Sequence, residues 1–152
     1  AGTRALVHGL FAEHGIAAER VRLEGPAEHD QFLRTYDAID VALDTFPYNG
    51  GTTTTEAIWQ GVPVVAFQGD RWVARTSATI LRAGGLGDFV AQDVDEYVAL
   101  AVELATRPAA RERLIALRRG MRQRLRASPV CDTHTFARNM ERLYRAMHEG
   151  GL

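Results

Sequence analysis

The feature that most constrains the fold is a run of six apolar residues, Val-Pro-Val-Val-Ala-Phe at positions 62–67, directly after Gly61. The run shows no alternation of apolar and polar residues, which predicts a strand that is buried on both faces. Such strands are typical of parallel sheets covered by helices. The run therefore predicts an α/β protein.

Strand and helix patterns alternate along the rest of the chain, which favours a doubly wound, Rossmann-like parallel sheet with crossover helices. Further strands are predicted at 20–25 and 40–44, with a possible short edge strand at 88–91. Helices are predicted for a stretch ended by Gly15, at about 28–37, from the threonine run to Gly61, at 70–85, at 93–106 (capped by Asp93 with Glu96), from Pro108 to about 126, and from a cap at Asp132 or Thr133 through Met147. Three strong strands are fewer than the five or six of a usual Rossmann-like sheet, so we expect residues 1–152 to be one domain that lacks its first strands.

Composition narrows the function classes. The chain has 152 residues, a net charge of −1 and a single cysteine, Cys131, which excludes an internal disulfide and a cysteine-based metal site. No apolar run is long enough to cross a membrane, and the first residues do not resemble a signal peptide, so we expect a cytoplasmic protein. All 18 basic residues are arginine, so no lysine is present to bind a phosphate.

The stretch Asn49–Gly61, NGGTTTTEAIWQG, is the main candidate site, because it follows the predicted strand at 40–44. Ligands of open parallel sheets bind beyond the carboxyl ends of the strands, where helices begin. Gly50 and Gly51 allow backbone to approach a ligand closely, and the N–H groups of the next helix suit a phosphate. Threonine hydroxyls add donors, and Glu56 is placed to accept hydrogen bonds from a ribose.

The same stretch has a purely structural interpretation. Thr53 and Glu56 have the spacing of a capping box, in which the threonine caps the helix and the glutamate bonds back to its N–H. Taken alone, the segment slightly favours this interpretation. A cap needs one threonine, however, and leaves the other three unexplained.

Two other functions are disfavoured. The five histidines show no spacing typical of metal ligands, so we expect no metal site. Eight arginines between Arg107 and Arg126 raise the possibility of nucleic-acid binding, but they alternate with apolar residues, which favours a solvated helix face.

Residues 39–81, IDVALDTFPYNGGTTTTEAIWQGVPVVAFQGDRWVARTSATIL, resemble the catalytic C-terminal region of protein O-linked N-acetylglucosamine transferases and their SPINDLY-like relatives. The tail 128–147, SPVCDTHTFARNMERLYRAM, resembles the end of the same region. The resemblance covers about residues 15 to 147, and its blocks occur in the family's order.

The resemblance implies the C-terminal, nucleotide-sugar-binding domain of an enzyme of GT-B architecture, which holds two facing Rossmann-like domains. Such enzymes transfer a sugar with inversion to Ser or Thr hydroxyls of proteins, and tetratricopeptide repeats usually precede the catalytic region. The expected partners are therefore a nucleotide sugar, the N-terminal catalytic domain, the repeats and a protein acceptor, with no nucleic acid and no membrane. The chain alone is expected to bind donor weakly and to be inactive.

Carried over by position, the resemblance implies diphosphate contacts at Gly51, Thr52 and Thr53, beside Gly50, and a ribose-binding acid at Glu56. The family's base-binding segment corresponds to Ala27, His29, Phe32, Arg34 and Thr35. No catalytic residue and no cofactor are implied within the chain.

Several positions depart from the family. Gly51 stands where the family has a histidine, and Glu56 stands where the family usually has an aspartate. In the base-binding segment, His29 replaces a base-contacting lysine, Phe32 a base-stacking histidine and Thr35 an arginine. The resemblance thus implies a donor-binding half-enzyme, with UDP-N-acetylglucosamine as the first candidate donor. The alternatives are a non-catalytic nucleotide-binding or scaffold domain, or a GT-B enzyme with another nucleotide sugar or acceptor.

Overall fold

The computed structural model of the protein describes residues 2–150. The chain forms two compact units, Ala1–Phe32 and Leu33–Leu152. The second unit holds the sheet and the threonine run.

The first unit begins with helix α1, Thr3–Glu13. Gly15 ends this helix as predicted: its φ is +73°, and its N–H donates to the Ala12 carbonyl at 2.9 Å. A 3₁₀ turn follows at Ala18–Arg20. The predicted strand at 20–25 is wrong. Residues 21–28 have no regular structure, because an extended stretch becomes a strand only when a neighbour bonds to it, and in the described residues none does.

The sheet of the second unit has three parallel strands in the order β1-β2-β3. They are β1 (Ala42–Leu43), β2 (Val64–Phe67) and β3 (Val90–Ala91). Each lies within a predicted strand, and β3 is at the edge, as expected. The residues of β2 at positions 64–66 are buried, which confirms that the apolar run is covered on both faces.

Helices flank the sheet. After α2, His29–Thr35, which crosses the boundary between the units, they are α3 (Thr52–Trp59), α4 (Thr76–Ala83), α5 (Val94–Thr106), α6 (Pro108–Arg126) and α7 (Thr133–His148). The Asp93 carboxylate accepts the Glu96 N–H at 2.8 Å and the Asp132 carboxylate accepts the Thr135 N–H at 2.9 Å, so both predicted caps are confirmed. The large side chains of the core are Ile58, Val62, Val65, Leu81, Leu86, Phe89, Met121 and Leu125.

One predicted helix begins later than expected. Residues 70–75 form a bend and a 3₁₀ turn at Trp72–Ala74, and α4 starts only at Thr76. The chain turns back here instead of winding into a helix, because the Gly69 N–H bonds to the Ala74 carbonyl at 2.9 Å.

Helix α6 fixes the carboxyl end of α3. Arg122 Nε donates to the Trp59 carbonyl at 2.9 Å, where a cation also suits the negative end of the helix dipole. Gly61, with φ +85°, lies so close to α6 that an added Cβ would be 2.9 Å from the Arg118 carbonyl oxygen. The predicted arginine-rich face is largely exposed, but Arg122 and Arg118 both donate to backbone carbonyls, Arg122 to that of Trp59 and Arg118 to that of Tyr36 at 3.2 Å.

Candidate functional site

Helix α3 begins beyond the carboxyl end of β1. Asp44 follows β1 directly, and its N–H continues the pairing with β2 by donating to the Val65 carbonyl at 2.9 Å. Residues 45–50 then lead to the helix, whose N-cap residue is Gly51. This is the end of a parallel sheet where ligands bind.

The first turn of α3 has no side-chain cap. The capping-box interpretation is wrong, because it needs Thr53 as the N-cap residue, and Thr53 lies two positions inside the helix. The Thr55 N–H bonds to the Gly51 carbonyl at 3.0 Å, so the N–H groups of Thr52, Thr53 and Thr54 precede the first intrahelical bond.

The four threonines have different surroundings. Thr52, Thr53 and Thr55 are exposed, and the Thr55 hydroxyl bonds to the Gly51 carbonyl at 3.0 Å. Thr54 is only 3% exposed, and its hydroxyl lies 2.8 Å from that of Ser77 on α4. The Thr54 hydroxyl therefore ties α3 to α4.

The two glycines also differ. A Cβ on Gly50 would lie 2.6 Å from Thr53 Oγ1 and 2.7 Å from Thr54 Oγ1, distances that real side chains do not adopt. A Cβ on Gly51 would meet only Thr76 Cγ2, at 3.6 Å, an ordinary contact. Gly50 is thus required by packing, whereas Gly51 leaves room for a methyl group.

A pocket of about 180 Å³ lies against this turn. Tyr36, Asp44, Gly50, Thr53 and Thr54 are among its lining residues. It is smaller than a usual ligand pocket, so a nucleotide would extend from it onto the exposed face of the first turn. Larger pockets occur elsewhere, but the one of about 610 Å³ lies beside Asp40 and Val41, at the amino end of β1, where parallel sheets do not bind ligands.

Two titratable groups, Asp44 and Tyr36, line the pocket. Burial raises the pKa of Asp44, and the hydrogen bond from the Gly50 N–H, at 2.8 Å, opposes part of that rise. Burial also raises the pKa of Tyr36, to which the negative charge of Glu56 adds. The Tyr36 hydroxyl donates to the Thr53 carbonyl at 3.2 Å. Glu56 is half-buried and lies one turn after Thr53. Because its charge acts on the Tyr36 phenol, the two side chains are near each other.

The predicted site residues fall into two sets. Gly50, Gly51, Thr52, Thr53 and Glu56 are brought together at the start of α3. In the base-binding segment, Ala27 and His29 are exposed and Phe32 is half-buried, all in the first unit, whereas Arg34 and Thr35 are exposed in the second. The predicted role of that segment stays a prediction.

Sequence reasoning missed two residues that shape the turn. Asp44 had a usable signal, because a carboxylate at the carboxyl end of a predicted strand stands where functional residues gather. Ser77 had no such signal, because it lies 27 residues after Gly50 in the sequence and reaches the turn from α4.

Two further searches cover the described residues. Between residues 2 and 150, no three or more His, Cys, Asp or Glu side chains are grouped so that they could hold a metal ion. None of the helices in that range is both long and apolar enough to cross a bilayer.

The sequence profile of glycosyl transferase family 41 matches residues 1–140. The chain belongs to this family. The match covers the strand ends and the first turn of α3, so the expected family is confirmed.

Curated relatives in the family carry transferase names. The chain is 42% identical over 119 residues to the probable UDP-N-acetylglucosamine--peptide N-acetylglucosaminyltransferase SPINDLY of Hordeum vulgare, covering 78% of this chain and 12% of that protein. It is 30% identical over 137 residues to the corresponding SEC protein of Arabidopsis thaliana, covering 90% of this chain and 14% of that protein. The chain therefore spans a small fraction of the relatives it matches.

A solved structure confirms the fold. A mutant O-GlcNAc transferase of Thermobaculum terrenum superposes with a TM-score of 0.87 at 36% sequence identity, over 98% of this chain and 28% of that one. The chain thus has the Rossmann-like fold of a GT-B glycosyltransferase.

Proposed function

We propose that this chain is the donor-binding part of an inverting glycosyltransferase that moves a sugar from a nucleotide sugar to Ser or Thr hydroxyls of proteins. UDP-N-acetylglucosamine is the first candidate donor, since the names of the relatives specify it. The observation that carries the proposal is the uncapped first turn of α3, which stands at the carboxyl end of a parallel strand in a family 41 chain.

The first turn offers neutral hydrogen-bond donors to a diphosphate. The N–H groups at the start of a helix point along its axis toward the positive end of the dipole, which favours an anion. The exposed hydroxyls of Thr52 and Thr53 lie at the same end and are free to rotate toward a phosphate oxygen. In transfer, these donors would stabilise the charge that grows on the departing diphosphate.

No lysine lies among residues 1–152, so this part of the protein offers the diphosphate hydrogen-bond donors rather than an ammonium group. Asp44 borders the same pocket, and as a carboxylate it would repel an anion. Binding through dipoles and hydrogen bonds is less sensitive to salt than binding through exposed ion pairs. We therefore propose that residues 1–152 contribute hydrogen-bond geometry to the donor site.

The ribose is assigned to Glu56. Its carboxylate lies near Tyr36, which lines the pocket, so it is placed one turn further along α3 than the proposed phosphate contacts. A carboxylate accepts two hydrogen bonds from neighbouring hydroxyls, which is the pattern that a ribose presents.

Titration of the 152-residue protein with UDP, GDP, UDP-N-acetylglucosamine and uridine tests the proposal, with amide NMR shifts as the readout. We expect UDP and UDP-N-acetylglucosamine to shift the signals of residues 50–54, and uridine to leave those signals nearly unchanged. Thr53→Val is the test variant for the same titrations, and Thr79→Val is its matched control. Thr79 is an exposed threonine on α4 whose hydroxyl donates to the Arg75 carbonyl at 2.9 Å.

The outcomes separate the alternatives. Tighter binding of GDP than of UDP would support the donor site but show that the donor carries guanine rather than uracil. Absence of binding by every diphosphate would contradict the proposal. Sugar transfer to a peptide by the 152-residue protein alone would contradict its assignment as only the donor-binding part.

A further inference from the structure

Both backbone groups of Gly50 are held by side chains, one half-buried and one fully buried. The Gly50 N–H donates to Asp44 Oδ1 at 2.8 Å, and the Gly50 carbonyl accepts from the Ser77 hydroxyl at 2.9 Å. When Ser77 donates its single hydroxyl proton to the Gly50 carbonyl, Thr54 is the donor in the 2.8 Å contact between the two hydroxyls. Asp44, Ser77 and Thr54 therefore form one network around this residue.

The network is anchored to rigid elements. Ser77 is fully buried and Thr54 is 3% exposed. Asp44 is fixed through its own backbone: its N–H bonds to Val65 on β2 at 2.9 Å, and its carbonyl accepts from the Tyr97 hydroxyl at 3.0 Å. The Gly50 peptide groups are thus held relative to the sheet and to α4.

Peptide planarity carries this constraint to the next residue. The Gly50 carbonyl and the Gly51 N–H belong to one trans peptide unit and point in opposite directions. When Ser77 holds the carbonyl on the buried side, the Gly51 N–H must point away from the network, toward the exposed side of the turn. The bond to Ser77 therefore sets the direction of a donor at the mouth of α3.

We propose that Asp44, Ser77 and Thr54 are positioning residues that aim the Gly51 N–H and the first N–H groups of α3 at the donor diphosphate. This inference rests on the proposed function. None of the three is expected to touch the sugar or the acceptor, so their effect on binding should be confined to ligands that carry phosphate.

A role in stability alone would give a different result. Loss of the Ser77 hydroxyl would then lower the melting temperature and leave the ratio of UDP to uridine affinity unchanged. A positioning role instead predicts that Ser77→Ala weakens UDP binding by about tenfold, comparable to one hydrogen bond to a charged group, and leaves uridine binding unchanged.

The experiment is calorimetric titration of the 152-residue protein with UDP and with uridine. The variants are Ser77→Ala, Asp44→Ala, Asp44→Asn and Thr54→Val, with Thr79→Val as the control. Asp44→Asn keeps an oxygen acceptor for the Gly50 N–H, so its UDP affinity should stay within about threefold of wild type. Asp44→Ala has no such acceptor, so its UDP affinity should fall about tenfold. Thr54→Val keeps the side-chain shape and acts only through Ser77, so its loss should be smaller than that of Ser77→Ala and still specific to UDP.

Each outcome decides the matter. UDP-specific losses that Asp44→Asn avoids would support the inference, and Thr54→Val supplies the same comparison if Asp44→Ala does not fold. The inference alone would be overturned if the wild type binds UDP and neither Ser77→Ala nor Thr54→Val weakens that binding. It would also be overturned if the variants lose equal affinity for UDP and for uridine. Failure of the wild type to bind any diphosphate would overturn the proposed function, and this inference with it.

Discussion

The first turn of α3 has two sides that are built from the same residue types and differ in every physical respect. The inner side, Gly50 and Thr54, is packed and hydrogen-bonded to Asp44 and Ser77. The outer side, Gly51 with Thr52 and Thr53, has room for a methyl group at the glycine and exposed threonines. Two adjacent glycines and a run of threonines thus divide between a rigid base and an accessible surface. Residue type alone does not distinguish structure from binding here, whereas position on the helix does.

The largest expected effect on stability comes from exchanging the inner glycine. Gly50→Ala should lower the free energy of unfolding by about 1–3 kcal/mol, because its Cβ would clash with the Thr54 hydroxyl, which is buried and cannot give way. Gly51→Ala is the matched control. It adds the same methyl group in ordinary contact with Thr76, at φ −126°, and its cost should be at most about 1 kcal/mol, that of alanine at an N-cap.

Urea unfolding of both variants measures this difference. Equal stabilities would mean that the turn relaxes around the new methyl group, and the contrast between the two sides would then be lost. A larger loss for Gly51→Ala than for Gly50→Ala would reverse it.

The next effect concerns binding on the outer side. Thr53→Val keeps the shape of the side chain and removes its hydroxyl, so UDP affinity should fall by about 1.5–3 kcal/mol if a diphosphate oxygen is its partner. Thr55→Val should do far less, since the Thr55 hydroxyl already bonds to the Gly51 carbonyl. Calorimetry with UDP and uridine checks both variants. The Thr53→Val defect should disappear with uridine, and a Thr55→Val loss of equal size would show that the run is structural.

The sequence predicted the fold well where local patterns were sufficient. The double-sided burial of 62–67, the carboxylate caps at Asp93 and Asp132, and the end of α1 at Gly15 each follow from residues within a few positions of one another. It failed at 20–25, where an extended segment needed a neighbour that local patterns do not reveal.

The candidate site was predictable only in part. The location of the threonine run beyond a strand followed from the order of elements, and Gly50 and Gly51 were both chosen correctly as members of the turn. Their difference depends on Thr54 and on Ser77, which reaches Gly50 from 27 residues away. Tertiary contacts of this kind are not encoded in local spacing, so nothing in the sequence indicated that Thr54 bonds to Ser77.

A smaller effect should come from Glu56, which follows the outer side by one turn. Glu56→Gln replaces a charged acceptor by a neutral amide, so a ribose hydroxyl would lose about 1 kcal/mol of binding free energy, the usual difference between charged and neutral hydrogen bonds. Both UDP and uridine should be affected, since both contain the ribose, and this separates Glu56→Gln from Thr53→Val. Titration with both ligands, together with a melting curve, tests this. Loss of stability with unchanged affinity would assign Glu56 to the structural side.

The smallest effect is the pH dependence of the inner side, measured with Asp44→Asn. Burial raises the pKa of Asp44 above its usual 3.8, so the folded state binds more protons than the unfolded state as the pH rises from 3.8 to the folded-state pKa. The free energy of unfolding from this group must therefore fall across that window and stay low above it. Asp44→Asn removes the decline, so the stability of the variant relative to wild type should increase as the pH rises through the window.

Asp132→Asn is the opposite control. The Thr135 backbone N–H and hydroxyl hold the pKa of the Asp132 carboxyl below 3.8, so its contribution is present above 3.8 and is lost as the pH falls through the lowered value. Urea unfolding from about pH 3 to about pH 7 covers both windows. A difference between Asp44→Asn and wild type that stays constant over this range would show that the Asp44 carboxylate is not buried in solution, and the rigid base of the turn would then need another anchor.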